Sequence, residues 1–210
     1  MIAVIDYRAG NLTSVVKALR HLDAASVTVT DDPAVVRRAE RIVLPGVGHF
    51  SATKRLDETG ITEASREAIR RGVPFLGICV GMQWLLEGSE EAPEQPGLGY
   101  FSGCCRRFPE GAEKVPHVGW NAIRPRTDAR LFAGIAPETF VYFTHSYFVP
   151  ATASAADATA QESAAATTRY ITDFDAAVEH RNVMGVQFHP EKSGEVGLQV
   201  LRNFLEWRPC

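Results

Sequence analysis

No stretch of this chain is both long and apolar enough to cross a bilayer. The best run, Val73 to Leu86, is short and is broken by Gly and Gln. Neither sign of charge is in excess: 22 Lys and Arg stand against 25 Asp and Glu, a formal −3. A protein that binds nucleic acid by neutralising phosphates needs a basic surplus, so that class is disfavoured. The four cysteines, Cys79, Cys104, Cys105 and Cys210, form neither a disulfide framework nor a C-x-x-C zinc pair. The six histidines are scattered without H-x-H or H-x-x-x-H spacing, and no metal is expected. No dinucleotide fingerprint is complete, because Gly46-Val47-Gly48 fails at Ser51 and Gly97-Leu98-Gly99 fails at Ser102. The opening Met1 to Tyr7 lacks a basic segment and meets Asp6 at once, which is unlike a signal peptide. These absences lead us to expect a cytoplasmic protein with no membrane or nucleic-acid partner.

What remains is the composition of a globular protein, 45% hydrophobic and 22% charged over 210 residues. No linker divides it, so residues 1–210 are expected to form a single domain. Its first half alternates strand and helix. Ile2 to Asp6 reads as a strand, followed by a turn at Arg8 to Asn11 and a helix on the spacing of Leu12, Val15, Val16, Leu19 and Leu22. Ser26 to Thr30 is a second strand; Asp32-Pro33 opens a helix; Arg41 to Leu44 is a third strand, ended by Pro45 to Gly48. A helix from about Thr62 to Gly72 leads into the buried strand Val73 to Ile78. This order predicts an α/β fold with a mostly parallel central sheet flanked by helices. Glu87 to Gly99 reads as a surface loop. Beyond it, strands at Ser102 to Phe108, Val118 to Arg124, Phe140 to Val149 and near Val183 to Phe188 predict an antiparallel extension of the same sheet. Cys104 and Cys105 read as small strand residues. Ala151 to Thr168 reads as strand plus loops, and a helix closes the chain from about Gly194 to Trp207.

Chemistry concentrates in Gly77-Ile78-Cys79-Val80-Gly81, between a buried strand and the helical Met82 to Leu86. This is the cysteine form of the G-x-S-x-G elbow, a sharp strand-to-helix turn that exposes a nucleophile. A thiol at a helix start is favoured as thiolate, and the Val80 N–H, without a helical partner, is free to meet an oxyanion. A buried structural cysteine is the plainer alternative. A cysteine nucleophile needs a base, and the base needs an orienting group. His189-Pro190-Glu191 supplies both, since residues two apart on an extended chain face the same way and Pro190 favours that geometry. The Pro45 to Gly48 loop would lie at the same sheet edge as Cys79, where glycine lets an N–H approach a ligand closely; a plain tight turn is its alternative.

Together these three elements resemble the class I, or triad, glutamine amidotransferases. Finer strings, Asp6-Tyr7-Arg8-Ala9-Gly10-Asn11-Leu12, Pro45 to Phe50, Gly77 to Gln83, His117-Val118-Gly119-Trp120-Asn121, Tyr142 to Tyr147 and Gln187 to Ser193, resemble the glutaminase subunits of imidazole glycerol phosphate synthase. Thr144 departs from the Val or Ile usual there, and Ala151 to Thr168 matches weakly. The resemblance implies a flavodoxin-like amidotransferase fold and a Cys79, His189, Glu191 triad. It also implies an oxyanion site from the N–H groups of Val47 and Val80. Glutamine would be bound by Gly46, Gln83, Glu91, Ser146 and Tyr147, with no cofactor. The partner implied is a cyclase with a (β/α)₈ barrel, in a heterodimer whose interface includes Asn11, Trp120 and Lys192. On residue type alone Gln83 reads as an exposed helix residue, Glu91 as a loop charge and Trp120 as core. Mobility of the Gly46 to Gly48 loop further implies that the chain without its partner is a poor glutaminase. Two alternatives stay open: the glutaminase subunit of pyridoxal phosphate synthase, and a silent scaffold on the same fold.

Overall fold

The computed structural model describes residues 1–9, 12–24, 26–111, 113–151 and 163–208. Its centre is a parallel sheet in the order β2 (Val27–Thr30), β1 (Ile2–Ile5), β3 (Arg41–Gly46), β4 (Phe75–Cys79) and β12 (Val183–Val186). That is the 2-1-3-4-5 order of flavodoxin-like sheets. β1, β4 and β12 are buried at every residue, as strands covered on both faces must be, which is why they read as unbroken apolar runs. Helices α1 (Leu12–His21), α2 (Pro33–Arg38), α3 (Lys54–Glu58) and α4 (Ile61–Arg70) belong to the crossovers between the first strands. α2 starts as expected, with the Asp32 carboxylate accepting the Ala34 N–H at 2.7 Å and Pro33 at the first helical position.

From β12 the sheet continues antiparallel through β11 (Asp173–His180), β10 (Ala164–Arg169), β7 (His117–Pro125) and β8 (Thr139–His145). Short strands β5 (Gly88–Ser89), β6 (Cys104–Arg107) and β9 (Tyr147–Pro150) branch from this path. α5 (Val80–Trp84) follows β4 directly, and α6 (Gly194–Glu206) closes the fold. No helix among the described residues is long and apolar enough to cross a membrane.

The expected α/β class and antiparallel extension hold, with corrections in detail. β3 runs on through Pro45 and Gly46, because Gly46 still pairs with Cys79 across the sheet. The α3 helix and the 3₁₀ turn Phe50–Thr53 were not anticipated. β8 and β9 are separate strands broken at Ser146 rather than one. β11 is an unforeseen strand of eight residues, masked in the sequence by acids that are nonetheless buried: Asp175 is 0% and Glu179 3% exposed. The Glu179 carboxylate is satisfied by Arg130 Nε at 2.8 Å and the Leu131 N–H at 2.9 Å. Glu87 to Gly99 is not simply a surface loop, since Ser89, Ala92 and Leu98 are buried. Of Ala151 to Thr168, residues 164 onward form β10, and residues 152–162 lie outside the described residues. Cys104 and Cys105 both fall on β6, the first exposed and the second buried.

Candidate active site

β4 ends at Cys79, whose backbone sits at φ 55°, ψ −110°. A left-handed conformation at a residue with a Cβ costs about 1–3 kcal/mol and persists only where the surroundings enforce it. They do so by close packing. A Cβ on Gly77 would run into the Gly81 carbonyl, and one on Gly81 into the Leu44 carbonyl, so the chain can fold back on itself only with glycine at both positions. The turn leaves the Val80 and Gly81 N–H groups at the start of α5. α5 has only five residues, so these local N–H groups, not a long helix dipole, are what the thiol feels.

A cavity of about 250 Å³ opens over this turn, lined by Val47, Gly48, Cys79, Val80, Gln83, Glu91, Pro116, Thr144, His145, Ser146 and Tyr147. It is small by ligand-pocket standards and suits one amino acid better than a nucleotide. Seven of the residues expected at the site, Val47, Cys79, Val80, Gln83, Glu91, Ser146 and Tyr147, thus share one wall. Gly46 lies just beneath, where a Cβ would collide with the Tyr7 hydroxyl and meet Val80 Cβ at 2.8 Å.

His189 and Glu191 stand near Cys79. His189 Nδ1 meets Glu191 Oε1 at 2.9 Å, with side chains 2% and 1% exposed. The backbone of His189 is held three times: its N–H donates to the Tyr142 carbonyl at 2.9 Å, and its carbonyl accepts the Ser193 hydroxyl at 2.7 Å and the Lys192 N–H at 3.0 Å. Burial by itself would depress the imidazole pKa. Interaction with Cys79 and then with Glu191 outweighs burial and raises it from 6.5 to about 9. Nε2 has no partner in full hydrogen-bond geometry, although Cys79 is close enough to act on the ring. Loose contacts of this kind are usual in sites without substrate. The Cys79 sulfur instead has the Gln187 Nε2 at 3.6 Å and the Thr144 carbonyl at 4.0 Å. The Tyr7 hydroxyl is buried without a partner, and burial and the neighbouring Cys79 both raise its pKa, so it stays protonated.

Three readings made from residue type are corrected. Gln83 is not an exposed helix residue but 2% exposed, with Nε2 donating to the Tyr147 carbonyl at 3.0 Å and to Gln187 Oε1 at 3.1 Å. Glu91 is no free loop charge: its Oε2 accepts the Phe50 N–H at 2.7 Å and so pins the far end of the Pro45 to Gly48 loop. Trp120 is likewise not core. It is 55% exposed and, with Val118 and Phe140 at 57% each, makes an apolar patch on the outer face of the β7–β8 ribbon. Lys192 joins that patch, its Nζ 5.7 Å from the Tyr142 ring, which in turn packs on Trp120. Asn11 lies outside the described residues. The departure at Thr144 matters little to the sulfur, which meets that residue's main-chain oxygen.

Sequence reasoning missed Gln187, His145 and Tyr7. A signal for Gln187 was its place two residues before His189, just past the end of β12. The extended chain expected over His189 to Glu191 is not found: Pro190–Lys192 forms a 3₁₀ turn, and it is this turn that carries Glu191 to His189 Nδ1.

The profile of class-I glutamine amidotransferases matches residues 3–207. Imidazole glycerol phosphate synthase subunit HisH 1 of Methanococcus maripaludis is 43% identical, over 98% of this chain and 99% of its own length. This chain belongs to the class-I glutamine amidotransferases, in the HisH family of imidazole glycerol phosphate synthase subunits. The HisH protein of Herpetosiphon aurantiacus is 48% identical, over 98% of this chain and 94% of its own length. Among solved structures, a glutamine amidotransferase crystal structure superposes with TM-score 0.74 at 18% identity, over 98% of each chain. The glutaminase domain of Trypanosoma brucei CTPS, with bound acivicin, gives 0.69 at 16% identity, over 100% of this chain and 95% of that one. Those two likenesses speak for the amidotransferase fold.

Proposed function

We propose that this chain, acting as one amidotransferase domain over residues 1–210, is the cytoplasmic glutaminase subunit of an imidazole glycerol phosphate synthase. It hydrolyses L-glutamine to glutamate and ammonia. The ammonia passes to a cyclase subunit built on a (β/α)₈ barrel, where it is used to make imidazole glycerol phosphate and aminoimidazole carboxamide ribotide. The observation that carries this reading is the buried His189–Glu191 pair at 2.9 Å, set behind a cysteine on a strained elbow in a pocket of amino-acid size.

In this mechanism the Cys79 sulfur attacks the side-chain carboxamide carbon of glutamine. The developing oxyanion takes hydrogen bonds from the N–H groups of Val47 and Val80, each worth about 2.7–4 kcal/mol of transition-state stabilisation. The C–N bond breaks as His189 Nε2 gives its proton to the departing ammonia, leaving a γ-glutamyl thioester. Water then attacks that thioester, His189 now accepting a proton, and glutamate leaves. Glu191 holds the ring through Nδ1 and favours its protonated form. Gln83 has both N–H groups committed to protein acceptors, so its Oε1 is the atom it offers the substrate ammonium. The backbone at Gly46, Ser146 and Tyr147, together with Glu91, completes the substrate site. Trp120, Lys192 and Asn11 meet the cyclase; an exposed aromatic beside apolar neighbours is the composition of an interface centre.

The buried His189–Glu191 pair, with Cys79 near enough to act on the ring, argues against a silent scaffold, and likeness to HisH proteins favours the imidazole synthase over pyridoxal phosphate synthase. The test is a glutaminase assay of the chain alone, with the cyclase, and with the cyclase plus its nucleotide ligand. Turnover that needs the cyclase supports the reading. Full activity of the chain alone refutes partner dependence, and no activity with the cyclase refutes the reading as a whole.

A further inference from the structure

Behind the pocket runs a chain of buried hydrogen bonds whose polarity is fixed by one end. The Tyr147 carbonyl oxygen can only accept. It receives Gln83 Nε2 at 3.0 Å and His145 Nδ1 at 2.8 Å, so Gln83 must present its NH₂ there and His145 must carry its proton on Nδ1. The second N–H of Gln83 meets Gln187 at 3.1 Å, which requires the carbonyl end, Oε1, at that contact. The other end of the Gln187 amide, Nε2, then faces the Cys79 sulfur at 3.6 Å. Gln187 is 0% exposed, so no water competes for that N–H.

The far end of the chain is equally constrained. His145 Nε2, lacking a proton, accepts from His117 Nδ1 at 3.1 Å. The His117 ring lies stacked between Tyr170 and Phe143, with centroids 4.0 Å and 4.8 Å away. Burial holds His145 down at about 3, assisted by the neighbouring imidazoles against its bond to Tyr147, and holds His117 down at about 4. Both rings therefore stay neutral near pH 7, and the direction of every bond in the chain is constant there.

We propose that Gln187 is a further catalytic residue: its Nε2–H donates to the Cys79 sulfur and stabilises it as the attacking anion, while Gln83 and the Tyr147 carbonyl keep the amide from turning over. A thiol sulfur is a weak acceptor and an anionic one accepts charge-assisted bonds, so the same N–H favours the deprotonated state. An inverted amide would set a carbonyl oxygen against the anion and oppose it. The other groups acting on Cys79 are His189, the Tyr7 hydroxyl, the Thr144 carbonyl and, through charge, Cys105. Among the described residues, Gln187 supplies the N–H in hydrogen-bond geometry with the sulfur. The inference rests on Cys79 being the nucleophile.

The test is the rate of iodoacetamide alkylation of Cys79 against pH, in the full-length chain and in Gln187→Met and Gln187→Glu. The Cys79 peptide is quantified by mass spectrometry so that the other cysteines do not count. Gln187→Met should react about ten-fold more slowly at pH 7 and reach the wild-type rate about one pH unit higher. Gln187→Glu, which brings a carboxylate to the sulfur, should be displaced further. Gln83→Met provides a second variant, with Gln187 intact but free to invert, and a slowing of about three-fold is expected. Thermal melts of all three separate these effects from unfolding. Superimposable profiles in folded variants overturn the role of Gln187. Wild-type Cys79 reacting no faster than exposed Cys104 overturns instead the reading of Cys79 as nucleophile.

Discussion

Glu191→Gln is the substitution that isolates charge from geometry at this site. Glutamine keeps a carbonyl oxygen where Oε1 accepts the His189 Nδ1 proton, so the ring stays oriented. The new NH₂ takes the place of Oε2, which is buried without a partner, so no existing hydrogen bond is broken. What disappears is a negative charge against a buried imidazole. The rise of His189 from 6.5 to about 9 corresponds to about 3 kcal/mol in favour of the protonated ring. Cys79 and then Glu191 raise the imidazole against burial, so losing the carboxylate charge while keeping its hydrogen bond lowers it, by about one pH unit at the low end for an adjacent opposite charge. In the proposed mechanism the leaving ammonia takes its proton from His189, so activity should be lost as pH rises through the folded pKa. In the wild type that alkaline limb should fall near pH 9, and in Glu191→Gln near pH 8. The ratio of the two rates should then be near unity at pH 7 and about five-fold at pH 9, apart from any loss common to all pH values. The assay is glutamate release, as kcat/KM against pH, with the chain assembled on its cyclase. A ratio that is constant from pH 7 to pH 9.5 would refute the claim that the carboxylate tunes the imidazole.

Three further outcomes are expected. Gly81→Ala drives a methyl into the Leu44 carbonyl and should destabilise the fold by more than about 3 kcal/mol, read as a urea midpoint or as insoluble expression; a wild-type midpoint would show that the elbow can relax. Trp120→Ala removes an exposed side chain and should leave the melting temperature of the isolated chain within about two degrees while weakening cyclase binding by about 2 kcal/mol in calorimetry. Equal affinity would move the docking face elsewhere. His117 and His145 are neutral when folded and protonate near 6.5 when unfolded, so the unfolded state binds more protons as pH falls. Stability from this pair is present above about pH 6.5 and is lost as pH drops through about 4 for His117 and about 3 for His145. Denaturant midpoints at pH 7 and pH 4.5 should show the fall, and His117→Phe should flatten it.

Local strings were legible wherever a short segment carries its own geometric demand. Gly77-Ile78-Cys79-Val80-Gly81 could be read as an elbow because each glycine meets a backbone carbonyl that excludes a Cβ. Asp32-Pro33 could be read as a helix start because cap and first turn are adjacent in the chain. β11 was hidden because alternation failed: Asp175 and Glu179 sit in the interior, and Glu179 is neutralised by Arg130 from a segment 49 residues away. Glu91 looked like a loop charge because its partner, the Phe50 N–H, is 41 residues distant.

The sequence by itself determined the α/β alternation, the strained turn at Cys79 and the pairing of His189 with Glu191, since each follows from residue types close together in the chain. Only the tertiary structure decided which amides face the sulfur, which acids are buried, and that Trp120 lies outside the core. Those properties depend on what a distant strand presents across the sheet. A buried donor takes its meaning from the acceptor opposite it, and nothing in the neighbouring residues names that acceptor.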